Sequence, residues 1–323
     1  MLTYPDLDPV AIQLGPFAVR WYALAYISGL LAGWWLLVKM LQQKSLWARP
    51  PFSSTSPATA DDIGDLFVWT TLGVVVGGRL GYDLFYGIFY CGFWPDGRDC
   101  HGLPWAYVTN PLNLIAHWTP GGLHLFGFQI PIYIPQLLGM SFHGGLAGVV
   151  AAIVWFCKKR GLNMFSVGDA IASVAPIGLF TGRLANFING ELWGKETDSP
   201  IGMVFCNDTI RATYGRCLAG MNPRYPSQLI EAATEGVLLF LLLQLAIRKF
   251  RLHERPGMIC GLFFLGYGLA RAFSEFFRDS ESMIYGWFSM GMLLSLPMWA
   301  AAAFFIWVAY KQPAWAKKQR STP

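Results

Sequence analysis

Charge-poor, strongly apolar runs recur along the chain at lengths that match a bilayer. The first, Trp21–Val38, holds no formal charge and is about long enough to cross the hydrocarbon core. The same pattern predicts seven helices, over residues 20–41, 63–90, 140–157, 166–184, 227–247, 257–278 and 287–310. Several are interrupted by charge: Arg79 and Asp83 fall in the second, for example, and Arg271, Glu275 and Arg278 in the sixth. Residues 91–139 are rich in glycine, proline and aromatics, and Pro131, Pro135 and the run Phe126–Ile134 predict an interfacial arm. Residues 185–226 are the most polar part and predict a small external head, while residues 50–60 form a flexible loop.

Composition narrows the class. Charged residues make up 13% of the chain and hydrophobic ones 54%; soluble domains carry about 25% charged residues. Disorder, collagen-like repetition and a small disulfide scaffold are excluded, leaving an all-α polytopic membrane protein with residues 1–323 as one membrane domain.

The net charge of +5 resolves into placement. Lys39, Lys44 and Arg49 follow the first run, Lys158, Lys159 and Arg160 another, and Arg248, Lys249, Arg251 and Arg255 a third. Lys311, Lys317, Lys318 and Arg320 close the chain. Each cluster abuts an apolar span, the positive-inside pattern, which requires no nucleic-acid partner. With all four on one side, seven crossings put the N-terminus outside and the C-terminus inside. Asp6 and Asp8, with no basic run before them, argue against a cleaved signal peptide, so the first span is expected to remain a helix.

Cys91, Cys100, Cys206 and Cys217 fall in the outer segments, where disulfides persist, and Cys157 and Cys260 at the inner edge. Cys91–Cys100 and Cys206–Cys217 are candidate staples; no cysteine or histidine spacing points to a metal site. Gly73, Gly77 and Gly81, and Gly144 with Gly148, repeat every four residues, a spacing that lets helices approach closely in lipid.

Ionisable groups at membrane depth are costly and mark function. In the sixth span, Arg271, Glu275 and Arg278 lie at roughly 40°, 80° and 20° from Tyr267 on a helical wheel, so the four share one stripe. An Arg271–Glu275 ion pair alone would explain two of them. At the end of the fourth span, Arg183 and Asn186 share a face, and the Asn189-Gly190 turn folds Glu191 back toward it. An arginine, amides and a carboxylate at headgroup depth suit a phosphate and hydroxyl ligand; snorkelling of Arg183 is the alternative. His143 opens the third span between Phe142 and Gly144, as a general base or as a capping residue. The residues thus point to a membrane enzyme or a carrier with a cationic chamber facing the outer leaflet. A transporter or flippase remains the alternative, although no internal repeat is visible.

The run Gly182–Gly194, GRLANFINGELWG, resembles the signature of the prolipoprotein diacylglyceryl transferase family. Phe142-His143-Gly144-Gly145-Leu146 is similar to its histidine motif, and Tyr225-Pro226-Ser227-Gln228-Leu229 with Glu231 to the block opening its fifth helix. Tyr267-Gly268 with Arg271, Glu275, Phe277 and Arg278 resembles its late arginine motif, and Arg20-Trp21-Tyr22 and Gly77–Tyr82 its early ones. Ala185 and Lys195 depart from that signature, at positions usually glycine and commonly arginine, without removing a charge. Tyr225 stands where histidine is frequent.

The resemblance implies a multi-pass enzyme of the bacterial inner membrane with its active site toward the periplasm. It would move the diacylglyceryl group of phosphatidylglycerol onto the lipobox cysteine of a preprolipoprotein and release glycerol 1-phosphate, with no cofactor. It further implies His143, Arg183, Arg271, Glu191, Asn186, Tyr22 and Tyr267 as the catalytic set. Arg183, Arg271, Asn186, Gly194, Glu275 and Arg278 are implied as substrate contacts, with Arg183 on phosphatidylglycerol. His143 is the leading base for the thiol; Glu191 and Glu275 remain open in that role.

Overall fold

A computed structural model of the chain describes residues 2–14, 17–85, 117–125, 128–136, 140–279, 283–284 and 288–319. Its helices, in chain order, are α1 (Trp21–Gln42), α2 (Ala60–Tyr82), α3 (Phe142–Arg160), α4 (Met164–Ala172), α5 (Ala175–Ile188), α6 (Asp208–Tyr214), α7 (Ser227–Arg248), α8 (Met258–Ser274) and α9 (Met290–Gln319). Among the described residues the strands pair in twos. Four stretches among the described residues are long and apolar enough to cross a membrane: Trp21–Gln42, Ala60–Phe85, Met164–Ile188 and Ser227–Arg248, with Met258–Ser274 a shorter apolar helix. The chain is mostly helical and built as a polytopic membrane protein. Its surface bears this out: Tyr26, Ile27, Leu30, Leu31, Trp34 and Trp35 of α1 are exposed, whereas Asp169, Glu231, Glu235, Gln244 and Glu275 are buried. That inversion is stable only in an apolar solvent.

The chain divides into two compact units, residues 1–59 with 165–323, and residues 60–164. In the second, α2 and α3 meet through glycines. A Cβ on Gly73 would fall 2.5 Å from the Gly148 carbonyl oxygen, and one on Gly81 would fall 2.6 Å from Gly144 Cα. Ser141 caps α3, its hydroxyl accepting from the Gly144 amide at 3.2 Å. Arg79 pairs with Asp83 at 3.2 Å, both buried. At the far end Arg160 pairs with Asp62 and Asp65. The proline-rich stretch expected as an interfacial arm forms an antiparallel ladder, His117–Leu125 on Phe128–Gln136. Residues 86–90 of the expected second helix, and Cys91 with Cys100, lie outside the described residues.

In the first unit, α1 packs on α5 through Gly29, whose Cβ would sit 3.3 Å from Gly178 Cα. The run expected as a single helix over 166–184 is broken at Ser173–Val174, ahead of Pro176 in the first turn of α5; proline has no N–H to continue the ladder. The buried Asp169 carboxylate accepts from the Gly257 and Cys260 amides, each at 2.8 Å, and so caps α8, which has no cap of its own. Helix α7 widens to a π-helix over Ala232–Leu238. There Gly236 lies so close to α5 that a Cβ would reach 2.7 Å from Phe180 Cβ.

The head has a small core of Tyr4, Met203, Phe205, Ile210 and Ala219, with Phe187 and Trp193 packed against it. A Cys206–Cys217 disulfide closes the loop holding α6. Tyr4 is stitched to the end of α5: its hydroxyl lies 2.7 Å from the carbonyl oxygens of both Phe187 and Ile188. Burial pushes that hydroxyl up to about 12, so it remains a donor.

Candidate functional site

The polar stripes of α5, α7 and α8 converge. Arg183, on α5, places Nη1 2.7 Å from Glu231 Oε2 and Nη2 3.1 Å from Glu235 Oε2. Arg271, on α8, reaches Glu275 at 2.6 Å and Glu231 at 3.6 Å. Arg278, just past α8, reaches Glu231 Oε1 at 2.9 Å and Glu275 at 3.5 Å. Three guanidinium groups therefore surround three carboxylates, and Glu231 touches all three cations.

Burial makes this network consequential. Glu231 is 1% exposed and Glu235 0%, whereas the three arginine side chains keep 17–19% exposure. The carboxylates form the floor and the guanidinium groups the rim. Arg271 Nη1 has no hydrogen-bond partner, and neither do Glu235 Oε1 and Glu275 Oε2. A buried guanidinium nitrogen with unused donors is a place for an anionic oxygen. Tyr267, on the same stripe, lies within electrostatic reach of Arg183, Arg271 and Glu235.

A second polar set adjoins the first. Glu191 Oε1 accepts from Asn186 Nδ2 at 2.8 Å and from Asn189 Nδ2 at 3.4 Å. Asn186 Nδ2 also faces the Tyr22 hydroxyl at 3.5 Å, which in turn meets Tyr26 at 3.3 Å. Tyr26 lies within electrostatic reach of Arg183 and Glu191. Amides, hydroxyls and a carboxylate beside cations can hold a polyol next to a phosphate. Gly194 occupies a crowded strand crossing: its amide donates to the Tyr225 carbonyl at 2.9 Å. A Cβ there would strike the Phe277 carbonyl and come within 2.8 Å of Tyr225 O.

Of the residues singled out from sequence, Arg183, Arg271, Glu275, Arg278 and Tyr267 share the arginine network, and Tyr22, Asn186 and Glu191 the amide set. Gly194 sits at the strand crossing. His143 belongs to the other unit. It is exposed in the first turn of α3, with its ring 5.7 Å from Phe142, at one end of an apolar groove running past Leu146, Val150 and Val154 to Lys158. Glu231 enters the sequence reading only within the Tyr225–Glu231 motif, and Glu235 is a site residue that the sequence reading misses. Their signal was available: two acids four residues apart in an otherwise apolar span obey the same rule that picked out the arginines. Among the described residues no group of three or more His, Cys, Asp or Glu could hold a metal ion.

Comparison with known proteins gives concordant results. The family model described as prolipoprotein diacylglyceryl transferase matches residues 9–308. A phosphatidylglycerol–prolipoprotein diacylglyceryl transferase of Caulobacter vibrioides is 42% identical over 323 residues, covering 97% of this chain and 96% of that relative. The protein of the same name from Rhodospirillum rubrum is 44% identical over 302 residues, covering 92% and 90%. That from Phenylobacterium zucineum is 42% identical, covering 95% and 94%.

Proposed function

As the chain belongs to the prolipoprotein diacylglyceryl transferase family, we propose that the α5–α7–α8 arginine network is its phospholipid site. The protein is a transferase of the first step of lipoprotein maturation. Its donor is phosphatidylglycerol and its acceptor a prolipoprotein. The observation that carries the site assignment is the convergence of Arg183, Arg271 and Arg278 on Glu231.

The reaction is a substitution at a glycerol carbon. The acceptor sulfur forms the new C–S bond as the C–O bond to phosphate breaks, the thiol proton passes to a base, and glycerol 1-phosphate departs. The phosphate gains charge as it leaves, and fixed cations in a site of low dielectric stabilise that change most. Arg183 and Arg271 supply them in planar, bidentate form. Glu231 and Glu235 hold the guanidinium groups in place before substrate arrives, so little reorganisation accompanies reaction. Asn186, Glu191 and Tyr22 suit the hydroxyls of the glycerol headgroup, with Glu275 in the floor beneath Arg271 and Arg278 and Tyr267 beside them. The base for the acceptor thiol, whose ordinary pKa of about 8.5 leaves it mostly protonated at neutral pH, is open among His143, Glu191 and Glu275. The acceptor is the lipobox cysteine.

The topology that fits is seven crossings with the N-terminus periplasmic, the C-terminus cytoplasmic and the head outside, in the bacterial inner membrane. The test is incubation of the purified protein with phosphatidylglycerol and a lipobox peptide. Stoichiometric thioether-linked diacylglyceryl peptide and glycerol 1-phosphate are expected. Lipid flux across vesicles without either product would make the network a transport path instead.

A further inference from the structure

Arg278 is held differently from the other two arginines of the network. Arg183 and Arg271 stand within α5 and α8, whereas Arg278 lies beyond Ser274, the last residue of α8. Its amide still donates to the Ser274 carbonyl at 3.1 Å, and the chain then leaves the helix to cross Gly194 as an antiparallel bridge. The Lys195 amide donates to the Phe277 carbonyl at 2.9 Å, and the Tyr225 amide to the Lys195 carbonyl at 3.0 Å. Residues 194–196, 224–225 and 277–279 are thus laced together beside the network. One side chain spans all three segments. Arg224 Nη1 donates to Asp279 Oδ2 at 2.6 Å and to the Gly194 carbonyl at 3.2 Å. Its Nε donates to the Ala219 carbonyl at 2.8 Å, and its Nη2 to Glu196 Oε1 at 3.2 Å. The Arg224 side chain is 15% exposed and two of its acceptors are backbone carbonyls, so it is not one of the solvated surface pairs that contribute little.

Resting on the function proposed above, we infer that Arg224 and Asp279 are positioning residues for the phosphate site. Their ion pair holds the segment after α8 so that the Arg278 guanidinium meets Glu231, at 2.9 Å, with donors left for a phosphate oxygen. Neighbouring side chains of an extended segment point to opposite sides, which lets Asp279 turn out to Arg224 while Arg278 turns in to Glu231. Charge and placement then predict opposite effects. An exposed carboxylate near an anion site repels the anion, so loss of the Asp279 charge by itself favours phospholipid binding. Loss of the placement it provides hinders binding. Glu196 separates the two. It is a carboxylate on the same guanidinium, 52% exposed against 47% for Asp279, but it stands in residues 194–196 and not next to Arg278.

The test uses the full-length enzyme with phosphatidylglycerol and a lipobox peptide. Asp279→Ala is expected to raise KM for phosphatidylglycerol about fivefold, with kcat, peptide KM and melting temperature unchanged. Glu196→Ala is expected to leave KM for phosphatidylglycerol level or lower. Arg278→Ala is expected to raise that KM about tenfold, and adding Asp279→Ala to it to raise KM no further, because the ion pair acts through Arg278. Arg224→Gln releases all four acceptors and is expected to raise the same KM while also lowering the melting temperature. A level or lower KM for phosphatidylglycerol in Asp279→Ala would overturn the inference. So would an equal rise in Glu196→Ala, or a double variant in which the two increases multiply, which would show that Asp279 acts by a route other than Arg278. Absence of lipidated peptide with the wild-type enzyme would instead overturn the function itself.

Discussion

At the scale of single residues, the arginine network makes the sharpest demands. Lysine keeps the charge of Arg183 or Arg271 but not the planar fork that spans two oxygens. Arg183→Ala and Arg271→Ala are expected to lower kcat/KM for phosphatidylglycerol by about 10²–10³, and the lysine variants to recover less than a tenth of the loss. Full activity in the lysine variants would show that charge alone suffices. Glu231 acts through the arginines it touches, and its loss leaves the rim more positive yet less ordered. Glu231→Gln is therefore expected to cut kcat about a hundredfold while KM for phosphatidylglycerol stays level or falls. A rise in KM with unchanged kcat would make it a ground-state contact. His253, in the loop between α7 and α8, makes a different prediction. Its ring is 3% exposed, Nε2 donates to the Leu46 carbonyl at 2.8 Å, and Nδ1 has no partner. Burial holds its pKa below the ordinary 6.5, so the unfolded chain takes up a proton before the folded one does. Stability from this ring is whole above pH 6.5 and drains away as pH falls toward the lower folded value. Thermal unfolding in detergent should show that loss on acidification, and His253→Gln should lessen it.

At the scale of elements, the caps and interruptions decide where the charged side chains point. Helix α8 delivers Arg271, and its first turn is held by Asp169 from α4 rather than by any neighbour in sequence. Asp169→Ala is expected to cost about 1–2 kcal/mol, read as a lower unfolding midpoint, with a fall in activity because the whole α8 stripe is released. An unchanged midpoint would show that the two amides find other acceptors. This level was only partly legible in the sequence. The charges in the fourth and sixth spans stand out because apolar neighbours surround them. Glu231 and Glu235 stand in an equally apolar span, but Glu231 closes a block that begins with the polar Tyr225–Gln228 stretch, so the two acids do not read as an isolated pair. The π-helix in α7 leaves no pattern, because in a nearly all-apolar helix one extra residue per turn does not change which positions are hydrophobic. The break before Pro176 was available from proline chemistry, yet the apolar run carries on across it. The ladder of 117–125 on 128–136 is written in proline and glycine positions that read equally well as an irregular arm. The Cys206–Cys217 pair is a candidate staple in the sequence, and the fold of the head closes it by bringing their Cα atoms to 5.3 Å.

At the scale of the whole molecule, two independent observations support the proposed orientation in the membrane. The basic clusters each abut an apolar span, and in the structure several of their lysines rest on aromatic rings one helical turn away. Lys39 lies 4.0 Å over Trp35, Lys159 4.8 Å over Trp155, and Lys311 4.4 Å over Trp307. Such aromatic–cation pairs anchor helix ends at the interface. The Cys206–Cys217 disulfide, in a head far along the chain from those clusters, belongs to an oxidising compartment. Together they support the proposed orientation, with the loop around Ser54 inside and the head outside, where an acceptor peptide would emerge. Single cysteines test this directly. Asp198→Cys in the head is expected to react with a membrane-impermeant maleimide in intact cells, and Thr55→Cys only after permeabilisation. The free native cysteines among the described residues, Cys157 and Cys260, are buried and contribute little background. The opposite labelling pattern would put the arginine network's rim on the cytoplasmic side, where an exported acceptor never presents its cysteine, and the proposed site would fall with it.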